Sequence, residues 1–140
     1  MKDPIIHVED VRLTLKSRAG PVDILRGIDL DLERGTTTAI VGPSGSGKTS
    51  LLMVLAGLER ATAGKVQVAG HDFSSLDEDS LAVVRGANIG IVFQSFHLVP
   101  TMTALENVAL PMEFAGNGEA FRIARELLSE VGLAHRVDHF

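Results

Sequence analysis

In the first third of the chain, apolar residues recur at every second position. Val11, Leu13 and Leu15 alternate with Arg12, Thr14 and Lys16, and Ile28, Leu30 and Leu32 alternate with Asp29, Asp31 and Glu33. Period two marks half-buried strands, because successive side chains leave opposite faces. Ser17 to Pro21 reads as the turn between them and Arg34-Gly35 as the turn that follows, so an antiparallel β region comes first. The pattern then changes. Thr38-Ala39-Ile40-Val41 is a continuous apolar run, as expected of a short strand buried in a parallel sheet. Leu51, Leu55 and Leu58 fall at i, i+4 and i+7 with Leu52 and Ala56 beside them, which makes one apolar helix face.

Further along, Gly64 to Gly70 brackets a short strand through Val66 and Val68, and Ser75 with Glu78 fits a capping box opening a helix through Leu81 and Val84. Asn88 to Phe93, with Ile89, Ile91 and Val92, reads as a second buried strand that delivers Gln94 to its end. Thr103 with Glu106 fits another capping box, for a helix through Leu105, Val108 and Ala109 that Pro111 ends or kinks. Phe121, Ala124, Leu127, Leu128 and Val131 keep helical spacing up to Gly132, placed where a glycine closes a helix. Strands alternating with helices predict an α/β fold behind the antiparallel β subdomain.

Composition narrows the class without naming a function. The 140 residues, 45% hydrophobic and 22% charged, suffice for one core. A formal net charge of -5 weighs against a nucleic-acid surface, and the lack of cysteine excludes disulfides and thiolate metal sites. Met1-Lys2-Asp3-Pro4 does not open a signal peptide, and no apolar run has the length of a bilayer span. His135 and His139 stand one helical turn apart, but only Asp138 is near as a third ligand, so a metal site is not expected there.

The chemistry sits between the apolar run and the helix. Gly42-Pro43-Ser44-Gly45-Ser46-Gly47-Lys48-Thr49 is a full match to the phosphate-loop pattern, and it has the required context of a strand before and a helix after. Glycines let backbone N–H groups converge on phosphate oxygens, Lys48 supplies a positive charge, and Thr49 offers a hydroxyl to Mg²⁺. The helix N-terminus points at the phosphates. Nucleotide is the expected ligand, held by residues Gly42 to Thr49 and the adjoining Ser50. Some forty residues precede the loop, whereas small nucleotide kinases usually carry it on their first strand; a guanylate-kinase-like enzyme is therefore the weaker alternative.

With these features in place, the chain resembles the ATP-binding subunit of an ABC transporter over essentially its whole length. The resemblance rests on the phosphate loop with its leucine-rich helix, the glycine-bracketed Val66 strand, and Phe93-Gln94-Ser95-Phe96-His97-Leu98-Val99-Pro100 followed by Ala104-Leu105-Glu106-Asn107-Val108. The last stretch is similar to the Q-loop of the lipoprotein-release and macrolide-export branch. The resemblance implies a P-loop NTPase core that binds ATP and Mg²⁺, with Lys48 and Gln94 catalytic and Thr49 and Gln94 on the metal. It also implies a head-to-tail homodimer, a transmembrane permease partner reached through the Q-loop region, no nucleic-acid partner, and a cytoplasmic protein peripheral to the inner face of the membrane.

Two departures follow from the same comparison. The family commonly stacks adenine on an aromatic residue of the N-terminal β region; rough alignment puts Leu15 there, and the chain has neither Tyr nor Trp, so apolar contact is expected instead. No Leu-Ser-Gly-Gly signature, acidic pair at an apolar strand end, or following switch histidine occurs, so residues 1–140 are expected to form an incomplete domain that binds nucleotide without turnover. Export or lipid and lipoprotein handling is the transport role implied; a non-transport ABC ATPase of the cell-division or DNA-repair type is the alternative.

Overall fold

The computed structural model describes residues 4–140 and resolves them into two compact units, residues 4–91 and 92–140. In the first, β1 (Ile6–Ser17) and β2 (Gly20–Leu32) form a long antiparallel hairpin, followed by α1 (Lys48–Leu55), β3 (Ala63–Val68), β4 (His71–Asp72) and α2 (Glu78–Asn88). The strands make one four-stranded sheet in the order β2-β1-β3-β4. Ala69 and Gly70, both at positive φ, form the two-residue turn from β3 to β4, a geometry that matches the twist of the strands it joins.

Three register shifts shape the hairpin, one of them where β2 skips Gly27 between Ile28 and Arg26. Val8 pairs with Leu30 and Val11 with Ile28, so Glu9 and Asp10 together face the single Asp29. The extra residue lets Val8 and Val11, three apart, both turn into the core with Leu13. Asp10 takes φ +45° there, and its N–H donates to Asp29 Oδ1 at 2.8 Å. Gly64 makes room for the bulge: a Cβ on it would lie 2.3 Å from the Asp10 carbonyl oxygen. The third shift is also in β2, where Leu13 pairs with Leu25 and Thr14 with Asp23, skipping Ile24.

The core of this unit joins Val8, Val11, Leu13 and Leu25 of the hairpin to Leu51, Val54 and Leu55 of α1, with Val66, Val68, Phe73 and Leu81 closing it. Helix α1 stops at Leu55 rather than running through Leu58, because Gly57 turns to φ +68° and packs against Phe73 and Leu81. The Arg85 guanidinium donates to the Gly57 carbonyl at 2.7 Å. At α2 the expected Ser75–Glu78 capping box does not form. Asp77 caps instead, accepting from the Ser80 N–H at 2.8 Å, while the Ser75 hydroxyl donates to the Asp72 carbonyl.

The expected strands at residues 38–41 and 88–93 are not strands. Asn88 closes α2, and neither segment joins a ladder among the described residues. An apolar run favours a strand only where a neighbour accepts its N–H and C=O groups, and here Val41 is 87% exposed and Val92 fully exposed. Ile40 and Ile89 alone of these stretches pack on the core.

In the second unit, α3 (Ala104–Phe114) and α4 (Ala120–Glu130) form a helical hairpin followed by a 3₁₀ turn at Ala134–Arg136. Ala109 and Ala124 are both fully buried between Leu105 and Leu128, small residues that let the helices approach closely. The Thr103–Glu106 capping box is present, and Pro111 lies inside α3, which continues to Phe114. Gly132, at φ +76°, closes the chain reversal after α4. Asn107 ties the preceding segment to α3: its amide accepts from the Val99 N–H and donates to the carbonyls of Val99, Met102 and Thr103.

Two outcomes follow. Gly64→Ala adds a Cβ both against the Asp10 carbonyl and at φ +89°, so it is expected to cost about 2–4 kcal/mol, whereas Gly132→Ala, with open space around it, should cost about 1 kcal/mol; chemical denaturation of both variants checks the order. The N–H and hydroxyl of Thr103 hold the Glu106 carboxyl below its ordinary value of 4.5. A lowered folded pKa gives stability that is present above the unfolded value and lost as pH falls through the folded one. The stability gap between the wild-type protein and Glu106→Gln should therefore shrink below about pH 4.5, as read by helix circular dichroism in denaturant at pH 7, 4.5 and 3.

Candidate functional site: a phosphate cradle at the start of α1

The loop from Gly42 to Gly47 runs without regular structure into α1, and Gly45 and Gly47 turn it at φ +78° and +91°. Only glycine adopts both values without strain. The Ser46 N–H donates back to the Pro43 carbonyl at 3.3 Å, closing a tight turn, and the first α1 hydrogen bond runs from Leu51 N–H to the Gly47 carbonyl. The N–H groups of Lys48, Thr49 and Ser50 precede that bond and meet no acceptor among the described residues, and neither do those of Gly45 and Gly47. No acidic residue occupies the first turn of α1, so its positive end is not neutralised within the helix. This is a ring of unspent donors at a helix N-terminus, the arrangement that binds phosphate.

Lys48 is half-buried and folds back over the loop. Its Nζ donates to the Gly42 carbonyl at 2.9 Å, to the Pro43 carbonyl at 2.6 Å and, at 3.5 Å, to the Ser46 hydroxyl. The side chain thus holds its charge beside the free N–H groups. A phosphate offers it charged acceptors, which form stronger hydrogen bonds than neutral carbonyls. The interior of the cradle must also stay empty of side chains. A Cβ at Gly42 would lie 2.9 Å from Ser46 Oγ.

The loop is held from one side by β2. A Cβ at Gly47 would lie 3.1 Å from the Ile24 carbonyl oxygen and 3.2 Å from Leu25 Cδ2. Ile24 is the residue skipped in the β1–β2 register, so the bulge brings its carbonyl against the loop. Residue-by-residue reading missed this contact. Its only signal was the three-residue spacing of Val22 and Leu25, which breaks strict alternation around Ile24.

Of the residues singled out from sequence, Gly42 through Ser50 stand together in the cradle. Pro43, Ser44 and Thr49 are exposed at its rim and Ser50 is half-buried. Leu15 lies in the same unit, near the free end of the hairpin and 41% exposed. Gln94 is exposed and belongs to the second unit, in the irregular segment that precedes α3. Among the described residues no helix is long and apolar enough to cross a membrane.

Residues 25–140 match the family model described as ABC transporter. The lipoprotein-releasing system ATP-binding protein LolD 2 of Caulobacter vibrioides is 44% identical over 99% of this chain and 62% of its own length. The macrolide export ATP-binding/permease protein MacB of Bdellovibrio bacteriovorus is 41% identical over 96% of this chain and 21% of its own. Among solved structures, the dimeric post-hydrolysis state of the ATP-binding cassette MJ0796 bound to ADP and Pi superposes with a TM-score of 0.88 at 34% identity, covering 96% of this chain and 60% of that one. The chain therefore spans about three fifths of LolD 2 and of this cassette. With the phosphate cradle inside the matched region and the α/β path shared with a nucleotide-bound cassette, the chain belongs to the ABC transporter family.

Proposed function

We propose that this chain is the nucleotide-holding part of an ABC export ATPase of the lipoprotein-release and macrolide-export type, and that its cradle binds the phosphates of ATP. The observation that carries the reading is the set of unbonded N–H groups at the start of α1 with Lys48 Nζ folded beside them. In this reading the N–H groups of Gly45 and of Gly47 to Ser50 hold the phosphate oxygens and Lys48 neutralises their charge. The donor set suits a triphosphate, since it is rich in N–H groups and one cation and contains no acidic side chain. Gly42, Pro43, Ser44 and Ser46 shape the loop that presents these groups.

Mg²⁺, when bound, would supply further charge neutralisation on the phosphates. The exposed hydroxyl of Thr49 fits a hard cation's preference for oxygen, and Gln94 offers an amide oxygen of the same kind. Gln94 is proposed as the second ligand on the strength of the family resemblance alone. Turnover, in this proposal, draws also on groups outside residues 1–140: the signature segment, the acidic pair and the switch histidine that members of the family carry, together with a second copy in a head-to-tail dimer. Coupling to a transmembrane permease through the segment around Gln94, and a position peripheral to the inner face of the cell membrane, belong to the same proposal. Two relatives that carry it are named for lipoprotein release and macrolide export.

Lys48→Ala removes the one charge among the cradle's donors, and loss of a charge-assisted contact to phosphate is worth about 2–3 kcal/mol. ATP affinity measured by isothermal titration calorimetry should fall about 30- to 150-fold, with the thermal unfolding midpoint of the free protein little changed. Equal affinity for ATP in the wild-type and Lys48→Ala proteins would sink the assignment.

A further inference from the structure

Few interactions shape the segment that carries Gln94. None of residues 92–98 makes a hydrogen bond, through backbone or side chain, to a partner among the described residues. The first tie downstream is Asn107, whose amide accepts from the Val99 N–H and donates to the Val99 carbonyl. Ahead of that tie the chain bends at Gln94 and Ser95, and the ring of His97 returns to the ring of Phe93. The two rings meet edge to face, with centroids 4.7 Å apart and planes at 68°. An extended run would hold these residues about 13 Å apart. The contact therefore closes residues 93–97 into a loop.

His97 takes a left-handed backbone, φ +49°, to make this contact. The conformation is uncommon outside glycine, and histidine, with asparagine and aspartate, is among the side chains that adopt it most readily. Such strain persists where the surroundings fix it, and the Phe93 ring is the contact that does so here, because His97 has no hydrogen bond among the described residues. Phe96, one position away, is 90% exposed and takes no part. Position 97 thus needs two properties at once, tolerance of the left-handed region and an aromatic ring. Histidine has both; asparagine has only the first.

We propose that His97 is a positioning residue: by closing the loop on Phe93 it fixes the direction of Gln94, and through Gln94 it strengthens the hold on Mg²⁺. This rests on the reading of Gln94 as a metal ligand and adds the group that orients it. The physical reason is that a ligand whose backbone samples many directions is competent only part of the time, and its apparent affinity falls by that fraction. An edge-to-face aromatic pair is strong enough to shift such a population by about three- to tenfold.

Two measurements test it. In the free protein, Phe93→Leu should move the proton resonances of the His97 imidazole toward those of an unstacked histidine, since the ring current of Phe93 is lost. The second is the ratio of ATP dissociation constants in EDTA and in Mg²⁺, from which complexation of Mg²⁺ by free ATP cancels between variants. His97→Asn and Phe93→Leu should each lower this ratio by about three- to tenfold and leave ATP affinity in EDTA unchanged. Gln94→Ala should lower it as well, and His97→Asn added to Gln94→Ala should lower it no further, because the two residues act as one unit. Imidazole resonances that Phe93→Leu leaves in place overturn the inference. So does a ratio that His97→Asn leaves whole, or lowers equally with and without Gln94, while Gln94→Ala alone still lowers it. A ratio that Gln94→Ala does not change overturns the metal reading of Gln94, and this inference with it.

Discussion

The first unit depends on the close approach of Gly47 to β2. At that point the Ile24 carbonyl and the Leu25 side chain occupy the space that any Cβ would need. The same residue is at φ +91°, so a single missing methyl group satisfies both the turn into α1 and the packing of α1 on the sheet. Because α1 is anchored there, its unbonded N–H groups face outward from a fixed position. A loop whose donors were free to rotate would bind phosphate only after paying to order them, and the contact with β2 removes that cost.

The hairpin does two jobs through two of its three register shifts. At Asp10 the extra residue returns Val8, Val11 and Leu13 to one face, which builds the core under α1. At Ile24 the skipped residue lets a carbonyl reach the loop while the strand carries on to an open aliphatic end. Bulges of this kind re-aim side chains without ending a sheet.

The second unit is organised by polar ties more than by a large core. Two buried alanines set the helix approach, while Asn107 and the Thr103–Glu106 box hold the turn before α3 with hydrogen bonds. The segment with Gln94 thus ends in a fixed foot at Val99 and carries exposed Phe96 and Leu98. Membership of the ABC transporter family, drawn from the match over residues 25–140, covers both units.

Local chemistry was legible along the chain. The eight residues from Gly42 to Thr49 declare a phosphate loop because the spacing of glycine, lysine and hydroxyl is itself the geometry; period two declared the hairpin, and Thr103 with Glu106 declared a cap. These features are legible because each is completed within a few residues of itself. What depends on a partner distant in sequence was not. The runs at 38–41 and 88–93 look like strands by composition, yet a strand is a ladder, and no neighbour pairs with them among the described residues. Ser75 looked like a cap, but Asp77, two residues on, has the extended backbone a cap requires and takes the role. The contact of Ile24 with Gly47 arises from a register shift, of which the sequence carries only a broken alternation and not the partner. Sequence alone determined which groups the loop presents; tertiary structure decided what stands behind and beside them, because register and close approach are set by residues tens of positions apart.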